Sequence, residues 1–166
     1  MKCIPPAALL TILLLPLAAQ AQRTADFSGT WAMDLSKSES SQQGAAVKPV
    51  RFVITQMPAQ VRIETMRGER SENVLYPLRG TSRGTAGTAG ASGTAHPEAY
   101  WEGDKLVTET QRQVNGYTVT VKEARTLGPT GTEMTVETTV IVQHGYSMPG
   151  AKNYGTSKDV FIKTTP

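Results

Sequence analysis

Two histidines, a single cysteine and a scatter of carboxylates are the residues of this chain best suited to chemistry. A metal centre needs ligands at set spacing, such as two histidines one helical turn apart. His96 and His144 lie far apart, with no acidic or cysteine cluster beside either, so both are expected to be exposed loop residues and neither a metal nor a cofactor is expected. Ser147, in Gly145-Tyr146-Ser147-Met148-Pro149-Gly150, begins like a nucleophile elbow, but Pro149 stands where that turn needs glycine. Asp26 and Asp34, and then Glu98, Glu102 and Asp104, read as exposed strand and turn carboxylates rather than as an acid and base pair. Gly80 to Pro97 is rich in glycine, alanine, serine and threonine, but has no Gly-Lys-Ser/Thr ending to cradle a phosphate. It reads as a flexible loop, since such residues offer little apolar area against the entropy of ordering. No catalytic residue is expected, and the chain reads as a non-enzyme.

The elements behind these residues are strands. No segment after the first two dozen residues holds apolar side chains at a helical spacing, whereas β-branched residues and period-two alternation are common. From Glu133 to Gln143, Met134, Val136, Thr138, Val140 and Val142 share one face, and Thr135, Glu137, Thr139, Ile141 and Gln143 the other. Tyr117 to Leu127 and Lys105 to Val114 are two more strands, joined by Asn115-Gly116. Asn-Gly between alternating runs predicts a type I′ hairpin, which sets Val114 opposite Tyr117, Thr110 opposite Val121 and Glu109 opposite Lys122 as a cross-strand ion pair. Gly103-Asp104 predicts another hairpin, with Trp101 opposite Leu106 and Glu102 opposite Lys105. Further strands are predicted at Ser28 to Met33, Val50 to Gln56, Gln60 to Met66, Glu72 to Leu78 and Ser157 to Thr164. Eight to nine antiparallel strands at near-regular spacing predict an all-β fold, an up-and-down barrel or a half-open, strongly curled sheet.

The beginning of the chain is of another kind. Lys2, an apolar run from Ala7 to Ala18 and the small-residue ending Ala19-Gln20-Ala21 read as a signal peptide over residues 1–21, cleaved between Ala21 and Gln22. The run is too short, and too rich in nearby prolines, to span a bilayer, so no stable membrane insertion is expected after its removal. The only cysteine, Cys3, leaves with it, so no disulfide is available to the 145 residues that remain of 166. A chain of that size supports one core and one domain, residues 22–166. Loss of Lys2 lowers the formal charge from +3 to +2. Arg62, Arg67, Arg70, Arg79 and Arg83 form a mildly basic stretch broken by Glu64, Glu69 and Glu72, which reads as a solvated strand face; no nucleic-acid partner is expected.

Asp26-Phe27-Ser28-Gly29-Thr30-Trp31, then Asp34-Leu35-Ser36-Lys37-Ser38, resembles the start of exported bacterial lipocalin-like proteins, which open on a Gly-x-Trp strand. Trp101 to Val107, the Asn115-Gly116 hairpin and the ending Val160-Phe161-Ile162-Lys163 extend the likeness over most of the chain. The resemblance implies a calycin-type barrel closed at one end by the Trp31 strand, with Lys158 or Lys163 lying over the indole. It also implies a periplasmic or secreted protein that binds a small apolar or amphipathic ligand, against a cavity lined by some of Trp31, Trp101, Leu106, Val119, Val121 and Val136. An interaction or inhibitor module acting through its loops is the alternative, its protein partner unspecified. The glycine-rich insertion and the modest supply of large apolar residues depart from the family pattern.

Overall fold

A computed structural model describes residues 25–42, 48–79, 97–143 and 154–164. The signal peptide with its Ala21/Gln22 junction, the glycine-rich loop up to residue 96, His96, His144 and Ser147 lie outside the described residues. Nine strands are present: β1 (Gly29–Met33), β2 (Val50–Met57), β3 (Gln60–Arg67), β4 (Arg70–Pro77), β5 (Glu98–Glu102), β6 (Lys105–Val114), β7 (Tyr117–Leu127), β8 (Glu133–Gln143) and β9 (Tyr154–Thr164). Among the described residues one 3-10 turn, Glu39–Gln42, follows β1. Among the described residues no helix is long and apolar enough to cross a membrane.

All nine strands belong to one antiparallel sheet in the order β4-β3-β2-β1-β9-β8-β7-β6-β5. Neighbours in sequence are neighbours in space throughout, and the first strand pairs with the last: Thr30 faces Thr164 and Trp31 faces Lys163. The sheet curls into a nearly closed barrel with one seam, between β4 and β5. There Leu78, just past β4, makes one parallel bridge to Ala99 of β5, supported by Arg79 N donating to Ala99 O at 2.8 Å and by the Arg79–Glu98 ion pair at 3.0 Å. Higher along the seam, the Tyr76 and Thr110 hydroxyls meet at 3.3 Å.

The hairpin arithmetic holds. Asn115 and Gly116 both have positive φ, 51° and 80°, as a type I′ turn requires. Val114 faces Tyr117, Thr110 faces Val121, Trp101 faces Leu106 and Glu102 faces Lys105. Glu109 does face Lys122, but the ion pair expected there forms elsewhere. Lys122 reaches diagonally over β6 to Glu102 Oε1 at 3.0 Å, with its ammonium 5.7 Å from the Tyr100 ring centroid. A long side chain lying across a strand covers what is beneath it, and Val107, opposite Tyr100 on this outer face, is fully buried.

Candidate functional site

Strand register divides the side chains into an outer and an inner set, because partners across an antiparallel pair share a face. The inner set is further divided along the barrel axis. The base is the end where the chain enters β1, and it also carries the β2–β3, β5–β6 and β7–β8 turns; the rim carries the β3–β4 and β6–β7 turns.

Near the base the inner face is filled. Trp31, Phe52, Ile54, Val61, Ile63, Leu106, Met134, Val136 and Phe161 are all at most 2% exposed. Below them, Ala25 to Ser28 cross under the barrel and plug it with Phe27, which is fully buried and lies 6.0 Å from Trp101, ring centroid to centroid. The plug is fastened by its own main chain: Trp31 Nε1 donates to Phe27 O at 2.9 Å, and Phe27 N to Gln56 Oε1 at 3.1 Å. Lys163 lies over the Trp31 ring, 5.3 Å from its centroid, as one of the two lysines expected. Gly29 makes this possible, since its φ is +134° and a Cβ there would stand 2.6 Å from Lys163 Cε.

Toward the rim the same faces carry smaller groups. Val119, Val121, Val140 and Val142 pair across β7 and β8 on the inner face and are only half-buried, and Val114 and Tyr117 at the β6–β7 tip are 38% and 41% exposed. The five valines thus form an incompletely buried wall, with the exposed Arg112 opposite Val119 on the same face.

Between base and wall lies a partly open cavity of about 60 Å³. Phe52, Val50, Val136, Phe161 and Met33 form its apolar side; Ser40, Arg67, Glu123, Thr138 and Asp159 form its polar side. The lining residues come from six adjacent strands, β3-β2-β1-β9-β8-β7, and from the segment after β1. The volume holds a few water-sized groups, far below the roughly 300–1,000 Å³ of a drug-sized site. It can seat one end of a ligand whose body extends up the wall.

The polar side is built from behind. Arg125, on β7, is fully buried inside the barrel. Its guanidinium donates to Thr108 Oγ1 at 2.7 Å and pairs with Glu123, and it rests on the Phe52 ring with Cζ 5.4 Å from the centroid. Its Nε is buried without a hydrogen-bond partner. Burial, tempered by the bond to Thr110, holds the neighbouring Tyr76 phenol above its ordinary pKa. Asp159, on β9, is 9% exposed and accepts from Ser40 N at 3.0 Å and from the Ser40 hydroxyl. It thereby anchors the segment after β1 against β9, where Ser38 Oγ also accepts from Val160 N at 3.0 Å and Glu39 from Lys158 N at 3.0 Å. β1 is too short to cover this part of β9, and side chains take over the pairing role of a strand.

All six residues expected to line a cavity lie on the inner face, at three levels. Trp31, Trp101 and Leu106 belong to the packed base, Val136 alone lines the cavity, and Val119 and Val121 belong to the wall. Arg67, expected on a solvated face, is exposed and also lines the cavity, because its register places it inward at the rim end of β3; Arg62, on the outer face, is exposed. Glu123, Asp159 and Ser40 carried no sequence signal. A charged residue at an inward position of an alternating strand was the one available clue to Arg125. Among the described residues no three His, Cys, Asp or Glu side chains are grouped to hold a metal ion.

No protein-family model matches the chain, and no curated protein sequence matches it. Among solved structures, a mutant of the fluorescent protein UnaG is similar at 14% identity, over 84% of this chain and 97% of that one, with a TM-score of 0.48. The assignment of a nearly closed, antiparallel up-and-down barrel rests on the strand register above.

Proposed function

We propose that this is an exported, non-catalytic binding protein, periplasmic or secreted, whose barrel takes a small apolar or amphipathic ligand. The observation that carries the reading is the incompletely buried row of Val114, Val119, Val121, Val140 and Val142 on the inner face, open above a cavity with polar groups. Apolar surface left inside a fold loses about 25 cal/mol per Å² of burial that a ligand would restore. A few polar groups beneath an apolar surface give such a site its orientation. Export rests on the signal-like first 21 residues.

Calorimetric titration with fatty acids, retinoids and haem, alongside tryptophan fluorescence, tests the binding. Saturable heat with at least one amphiphile is expected; the absence of saturation with every class removes the reading. Sequencing the product of a bacterial envelope fraction tests export, and the expected first residue is Gln22.

A further inference from the structure

We infer, resting on the binding function proposed above, that the barrel takes its ligand with a cationic end inward, and that Asp159 selects for that end. The cavity holds two carboxylates, Glu123 and Asp159, two hydroxyls, Ser40 and Thr138, and one cation, Arg67. Those five groups are not equivalent. Glu123 is neutralised from behind by the buried Arg125. Asp159 has no such partner: its bonds come from the Ser40 amide and hydroxyl, both neutral, and among the described residues no basic group comes within ion-pair distance of it. A carboxylate can accept about four hydrogen bonds, so Ser40 leaves acceptor capacity on a side chain that lines the cavity and is nine-tenths buried.

A buried carboxylate without a countercharge is costly, and the cost is recovered by a cation that brings its own N–H donors. Arg67 does not supply it, since it is solvent-exposed at the rim end of β3 and forms no ion pair with either acid. An alkylammonium fits the remaining demand. Its head offers three donors to Asp159, Thr138 and Ser40 within a cavity sized for a few small groups, and its chain lies on the valine wall. A carboxylate head placed in the same cavity would face both acids. Arg125 does not line the cavity, and its charge is paired with Glu123.

The test is a head-group series on one chain length, with dodecylammonium, dodecanol and dodecanoate titrated calorimetrically below their aggregation concentrations. Dodecylammonium is expected to bind about tenfold more tightly than dodecanol, the size of one charge-assisted hydrogen bond, and dodecanoate more weakly still. Asp159→Asn keeps an acceptor for the Ser40 amide and is expected to remove the ammonium preference while leaving dodecanol unchanged. Arg67→Gln changes an exposed side chain and is expected to strengthen dodecylammonium binding by about two- to threefold, as loss of an exposed like charge allows. The Arg67 variant and the wild-type series remain decisive where Asp159→Asn fails to fold. Tighter binding of dodecanoate than of dodecylammonium, an ammonium preference that survives in folded Asp159→Asn, or an Arg67→Gln variant that weakens dodecylammonium overturns the inference and leaves the binding function standing. No binding of any of the three removes both.

Discussion

The base and the rim of this barrel are built by the same strands with opposite results. On β8, Met134 and Val136 are buried, whereas Val140 and Val142, further along the same face, are only half-buried. On β7, Leu127 packs against the core and Val121 faces the lumen. The difference is in side-chain volume and polarity. Toward the base the facing groups are Trp31, Phe52, Phe161, Trp101 and the Phe27 plug, which meet across the lumen. Toward the rim, β7 to β9 carry valine, threonine, serine and glycine, too short to do so, and the long Arg67 and Arg112 are exposed to solvent. A barrel with strict alternation thus becomes a core at one end and a cup at the other by a change in the size and polarity of its inner residues.

The contrast is sharpest for one pair of truncations. Trp31→Ala is expected to destabilise the protein by about 3–5 kcal/mol, the range for large aromatics in cores, measured by urea unfolding. Loss of less than about 1 kcal/mol would mean that the base is not the core. Gly29→Ala comes next, at about 1–3 kcal/mol for a strained backbone, because it combines a positive φ with displacement of Lys163 from the indole. If the cost were strain alone, adding Lys163→Ala to it would cost the same again as in the native background; coupling between the two changes is expected instead. Val121→Ala, on the wall, should cost about 1 kcal/mol or less, and a cost matching a core truncation would show that the cup is packed after all.

The smallest effect lies where the two regions meet. Burial raises the Tyr76 pKa above its ordinary value of 10.0, so the fold favours the neutral phenol. Its contribution is complete below pH 10 and is lost as pH rises through the elevated value. Tyrosinate absorbance should show one phenol ionising late, together with a fall in stability over that range, and Tyr76→Phe should abolish both. Early ionisation of all tyrosines would place Tyr76 in solvent.

How much of this could be read beforehand follows from the range of the forces involved. Turns are local: Asn115-Gly116 dictates its own φ values, and with them the pairing of Glu109 with Lys122. The Lys122 side chain is not local, and it left Glu109 for Glu102 because only the folded sheet brings β5 within reach. Trp31 and Lys163 were legible from their strands, but Phe27 was not, since its burial depends on the chain turning under the base, a turn fixed by Gln56 from β2. The cavity was least legible. Asp159 and Ser40 are 119 positions apart, and alternation distinguishes inner from outer positions without showing which level of the lumen a residue occupies.

The barrel is held at its centre by a strand of five residues, β1, gripped on one side by β2 and on the other by β9. Thr164 Oγ1 donates to Thr30 O across 134 positions. Half the wall, β2 to β4, can join the other half only after almost the whole polypeptide has emerged. Contacts of such long range make for slow assembly. Until β9 arrives, β1 shows a bare hydrogen-bonding edge, the form in which chains pair with one another and precipitate. A protein of this topology spends its early life in need of shelter, and a chaperone that masks the opening strand would act on its yield rather than on its final stability.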